Sequence, residues 1–112
     1  MQGILERLGV RYEKHRCLPG LGSHQFDVVL PDHHAIGEVL GCWWHACPLC
    51  KKDETPRGEA RRAWDQKRTD QVLAAGWRYF EVWEHEFKNL GAVENRIRAF
   101  LNSSGSAPTG VL

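Results

Sequence analysis

The 112-residue chain has almost no net charge: fifteen Lys and Arg stand against fourteen Asp and Glu, a formal balance of +1. That near-neutrality excludes a global basic signature of nucleic-acid binding, so any DNA contact must rest on a local patch. No apolar run approaches the length of a membrane span, and Met1 does not open a signal-peptide pattern. The expected compartment is therefore the cytoplasm, with no membrane partner. No internal repeat is visible, and the length predicts one small domain with a single modest core that a structural metal would help to hold. Cysteine is scarce, at four residues, but three of them fall within nine positions. In a reducing compartment such clustering favours metal over disulfides. Cys17 stands alone and is expected to be a buried structural thiol.

What is present has a clear order. Ile4, Leu5 and Leu8 suggest a short helix stopping at Gly9. Val10 to His15 reads as a first strand, and Leu18 to Ser23 as a turn-rich loop. Phe26 to Leu30 and His34 to Leu40 form a hairpin around Pro31-Asp32. Glu59 to Ala75 is helical in composition, and Gly76 is its stop. Trp77 to Trp83 alternates and reads as a central strand, with Trp77 and Trp83 in the core. Val93, Ile97, Phe100 and Leu101 make one face of a final helix. The expected domain is 1–101, with 102–112 a disordered tail. The fold class is α/β, with helices on both faces of a small mixed sheet.

Two features carry chemistry. Cys42, Cys47 and Cys50 are spaced C-x4-C-x2-C around Trp43, Trp44 and His45. The C-x2-C turn of Cys47 and Cys50 can offer two thiolates to one tetrahedral zinc, which requires a further, distant ligand. Separately, Asp27 sits inside the apolar run Phe26-Asp-Val-Val-Leu30, where a carboxylate is costly unless it pairs or binds metal. Glu38 lies in the facing strand, and two hard oxygen donors there suit magnesium. This arrangement resembles the PD-(D/E)xK nucleases, although Phe26 stands where proline is usual and Leu40 where the lysine is expected.

Leu18-Pro-Gly, Phe26-Asp-Val-Val, Gly41-Cys-Trp-Trp-His45, Gly76-Trp-Arg and Val82-Trp-Glu together resemble the very short patch repair (Vsr) endonucleases. The similarity runs from about Gly9 to Glu86. It implies a restriction-endonuclease-like three-layer α/β/α sandwich with a zinc-braced loop, and a magnesium-dependent enzyme that nicks double-stranded DNA at T:G mismatches. The alternatives are a homing or invasion nicking endonuclease of the same fold, and a non-catalytic zinc-stabilised DNA-binding module. A monomer is expected, associated with the nucleoid when acting on DNA.

The resemblance assigns roles position by position. Asp27 matches the magnesium-binding aspartate and His45 the catalytic acid/base. Asp65, or alternatively Asp70, matches the acid that partners that histidine, with Glu38 the second strand carboxylate. Glu6 is a weak counterpart of an N-terminal glutamate. His85 takes the place of a zinc-ligating cysteine, giving the structural set Cys42, Cys47, Cys50 and His85. His45 is the competing ligand. Trp43 and Trp44 match aromatics that wedge into the base stack beside a mismatch, whereas Trp64 fits another family wedge only loosely. The densest basic stretch, Lys51, Lys52, Arg57, Arg61, Arg62, Lys67 and Arg68, is expected to contact phosphates. His15, His24, His33 and His34 read as loop or strand-end residues.

Overall fold

The computed structural model describes residues 1–42 and 56–103. It opens with helix α1 (Gln2–Arg7), followed by strands β1 (Glu13–Arg16) and β2 (Phe26–Leu30). A 3-10 turn over Pro31–His33 leads into β3 (Ala35–Leu40). Helix α2 (Pro56–Ala74), strand β4 (Arg78–Trp83), a 3-10 turn (Glu84–Lys88) and helix α3 (Leu90–Asn102) complete it. The described strands form one mixed sheet in the order β1-β2-β3-β4. The first three strands are antiparallel, while β4 runs parallel to β3 because the chain returns through α2.

The hairpin of β2 and β3 is held in register by Val28 opposite Gly37, Val29 opposite Ile36 and Leu30 opposite Ala35. Its turn closes through His34 in the left-handed region, φ 49°. A one-residue slip would turn every one of these side chains to the wrong face, so the apolar pattern fixes the pairing. Gly37 answers a close approach. A Cβ there would lie 2.4 Å from the ring of Phe80, which is fully buried.

Strand alternation divides the core into two clusters. Val28, Leu30, Ala35, Phe80 and Val82 pack with Ile4 and Leu5 of α1 and with Val93, Ile97, Phe100 and Leu101 of α3. Val29, Ile36 and Tyr79 pack with Val72 of α2, Leu18 and Phe26. Phe26 breaks the alternation, and it does so where the β2–β3 pairing stops. The four α3 residues are those of the sequence stripe, and burying each contributes roughly 1.5–3 kcal/mol. That helix starts on an Asn89 cap, whose Oδ1 accepts the Ala92 N–H at 3.1 Å. Helix α2 ends at Gly76, whose φ of 90° few other residues adopt.

Several expectations are corrected. Strand β4 pairs only with β3 and so lies at an edge of the described sheet. It resembles a central strand in sequence because both of its faces are covered, by Tyr79 on one side and by Phe80 and Val82 on the other. Trp77 is half-buried but packs against the second core cluster, whereas Trp83 is half-buried and belongs to neither cluster. Trp77 stacks on His34 with ring centres 4.0 Å apart and planes at 10°. Cys17 is exposed, its thiol donating to the Ser23 carbonyl at 3.3 Å. Strand β1 begins at Glu13 instead of Val10, and Asn102 closes α3. Among the described residues, no helix is long and apolar enough to cross a membrane.

Candidate active site

The candidate site is built on the β2–β3 hairpin where its regular pairing ends. Continuing the register one step beyond Val28 and Gly37 would set Asp27 opposite Glu38. The backbone ladder stops there, and the Asp27 side chain substitutes for it: Oδ2 accepts the Val39 N–H at 2.7 Å. Among the described residues this is the one hydrogen bond of the Asp27 side chain, and the residue lines a cavity of about 450 Å³ with His15, Val39 and the start of α1. On its other side β1 supplies His15, between Lys14 opposite Val28 and Arg16 opposite Phe26. His15 has φ 54°, a conformation costly for a residue other than glycine. Local strain and an interrupted ladder thus converge on the aspartate.

Glu38 is used differently. It is buried, with only 5% of its surface exposed. Burial raises its pKa above the ordinary carboxyl value, and the charge of Asp27 adds to this, while His24 and Arg68 oppose it. The opposition is visible in the contacts. His24 Nε2 lies 3.0 Å from Glu38 Oε2, and Arg68 Nε lies 3.9 Å from Oε1. Arg68 also meets His24 Nδ1 at 3.3 Å and donates to Asp65 Oδ1 at 2.9 Å. An arginine can only donate, so Nδ1 is the acceptor and Nε2 carries the proton given to Glu38. One guanidinium thereby joins a strand carboxylate, a loop histidine and a helix carboxylate.

This network places several expected residues. Asp65, which Arg61 also approaches at 3.4 Å, shares the Arg68 guanidinium with Glu38. Asp70 is exposed and accepts from Gln66 at 2.9 Å instead. Arg68, expected on phosphate, has its guanidinium engaged inside the protein, with 18% of the side chain exposed. Arg57 and Lys67 are exposed, while Arg61 and Arg62 are half-buried. Glu6 accepts from the Tyr12 hydroxyl at 3.4 Å. His24 is the participant that sequence reasoning missed. It stands in a turn-rich loop fourteen residues from Glu38, and no periodicity links the two.

The second assembly lies at the ends of β3 and β4. Cys42 is buried, and its Sγ lies 3.4 Å from His85 Nδ1. Two ligands of a tetrahedral zinc, at ordinary Zn–S and Zn–N lengths, stand about 3.6 Å apart, so this pair fits two corners of such a site. The turn carrying His85 is fastened by Glu86, which accepts the Trp83 N–H at 2.7 Å and an ion pair from Arg96 at 2.6 Å. Burial works to raise the Glu86 pKa, but these partners hold it below the ordinary value. Cys47, Cys50, His45, Trp43, Trp44, Lys51 and Lys52 lie outside the described residues. Among those described, no group of three or more His, Cys, Asp or Glu is gathered as a metal site.

Fold and site together define a small α/β domain with its carboxylates concentrated where one hairpin ladder breaks off. Its kinship is more specific. Over 113 residues, 93% of the chain, it is 35% identical to 80% of the Type II nicking enzyme V.XorIIP of Xanthomonas oryzae pv. oryzae (strain KACC10331 / KXO85). Over 77% of the chain it is 32% identical to 57% of the Type II nicking enzyme V.NaeI of Lentzea aerocolonigenes. No family model matches the chain. At this identity and coverage, the chain belongs to the family of these Type II nicking enzymes.

Proposed function

We propose that this protein is a magnesium-dependent DNA endonuclease that cuts one strand of a duplex. The observation that carries the reading is Asp27. It is a half-buried carboxylate at the end of a strand ladder, held by one backbone N–H and lining a cavity, with buried Glu38 on the adjoining strand. Kinship with nicking enzymes supports the same chemistry. Magnesium held by Asp27 would supply an activated water and stabilise charge on the phosphorus. The chain's own residues prepare that place. The Val39 N–H orients the aspartate, and the Arg68–His24 pair keeps the Glu38 carboxyl in one orientation. His45, close in sequence to Cys42, is our candidate acid/base, with Asp65 as its partner.

The zinc set of Cys42, Cys47, Cys50 and His85 is structural in this reading, and the fit of Cys42 to His85 supports it. The two core clusters, one holding α1 and α3 and the other α2, support a restriction-endonuclease-like three-layer sandwich. The resemblance to very short patch repair enzymes makes T:G mismatches the proposed target, with Trp43 and Trp44 as the wedge. Phosphate contacts fall to Lys51, Lys52, Arg57, Arg61, Arg62 and Lys67. The test is a supercoiled plasmid incubated with the protein and magnesium. Open circles that form with magnesium and not with EDTA support the reading; double-strand cuts without accumulation of a nicked form, or no cutting, refute it.

A further inference from the structure

His15 shares the Asp27 cavity and has no structural duty there. It stands on β1 directly opposite Asp27, since Lys14 pairs with Val28 and Arg16 with Phe26. Both residues line the space of about 450 Å³, beside Val39, Gln2 and Gly3. Among the described residues, His15 and His34 are the two positions other than glycine with positive φ, at 54° and 49°. His34 is accounted for: it closes the turn between β2 and β3, and its ring stacks on Trp77. His15 lies within a strand instead. Its side chain makes no hydrogen bond, ion pair or ring contact with another described residue. A left-handed backbone persists only where its surroundings fix it, and such positions gather at ligand sites.

Asp27 complements it. Oδ2 accepts the Val39 N–H, and no described group meets Oδ1. An unpaired carboxylate oxygen and an unpaired imidazole therefore line one space, on adjoining strands. His15 is exposed, so water and ions reach it. We propose that His15 is a second ligand of the divalent cation at Asp27, and that its ring nitrogen makes this site prefer manganese to magnesium. This rests on the reading of Asp27 as the cation ligand and adds to it a residue and an ion preference. Magnesium takes oxygen ligands and gives up its water reluctantly, whereas imidazole is a common ligand of first-row transition ions. A neutral imidazole beside a carboxylate offers such an ion nitrogen and oxygen together. The cavity leaves room for the waters that complete its coordination.

The experiment uses the full chain at one neutral pH, with manganese as the probe. Loss of the free-ion electron paramagnetic resonance signal measures binding, and competition by magnesium gives the relative affinity. Electron spin-echo modulation reports any imidazole nitrogen bonded to the ion. The natural protein should bind manganese more tightly than magnesium and show the nitrogen coupling. His15→Gly and His15→Asn both accept a left-handed backbone, so each should fold, which thermal melting checks. In both the coupling should vanish. Manganese should bind about tenfold more weakly, the smaller end of what losing even an outer partner of a metal ligand costs. Magnesium affinity should change less, so the preference narrows. No manganese binding or no nitrogen coupling in the natural protein overturns the proposal, as does a coupling and affinity unchanged in both variants. Asp27→Asn separates the two readings. Manganese lost there but kept by the His15 variants removes His15 alone; manganese bound equally by Asp27→Asn and the natural protein removes the Asp27 reading itself.

Discussion

Glu38 and Asp27 show how two carboxylates on adjoining strands acquire different properties. Glu38 is buried and its pKa is raised, so the folded protein holds that proton more tightly than the unfolded chain does. The sign follows directly: its contribution to stability is full below the unfolded carboxyl value and falls as pH rises through the folded one. Glu38→Gln should therefore gain stability relative to the natural protein as pH rises from 4 to 7, read by urea denaturation at each pH. A constant difference across that range would contradict the assignment. Of these residues, Asp27 and Glu38 were legible in the sequence because a charge inside an apolar run is conspicuous. His24 was not, since only the folded loop brings it to Glu38. Cys17 misled for a related reason: a lone thiol carries no information about which side of a loop it occupies.

Among the elements, β3 depends on an absence. Gly37 makes room for Phe80, and Gly37→Ala should destabilise the domain by roughly 1–3 kcal/mol through overpacking. A melting temperature unchanged by that substitution would mean the two strands can part more easily than the close contact implies. The turn after β4 makes a matching case. Glu86 joins the Trp83 N–H to Arg96, so Glu86→Ala should cost about 1–2 kcal/mol and loosen His85. Its pKa is lowered, so that stabilisation is present above the ordinary carboxyl value and lost as pH falls through the folded one. Helix α3 was legible almost in full, because a 3.6-residue stripe admits one reading. The edge position of β4 was not, because a strand covered on both faces shows the same pattern at an edge as in the middle.

Taken whole, the molecule joins two small clusters of core to a hairpin whose broken ladder exposes a carboxylate. A domain this small has little stability to spare, so the zinc set should be part of the fold. Elemental analysis should find one zinc per chain, and chelation should unfold the protein; folded protein without zinc would remove that site. His45→Ala should lose nicking and keep zinc. Mismatch preference belongs to the same level. Oligonucleotides with a T:G pair should be nicked faster than paired ones, and a rate ratio near one would point to a homing-type role.

Metal-dependent nicking from Asp27 can be tested in one paired assay. Natural protein and Asp27→Asn are compared on supercoiled plasmid with magnesium, with zinc content and thermal melting measured on both. An amide is a poor ligand for a hard cation, yet it can still accept the Val39 N–H. Natural protein should give open circles, the folded and zinc-loaded variant roughly a hundredfold fewer or less, and both should bind DNA with similar affinity. Equal nicking by the two proteins would contradict nicking from Asp27.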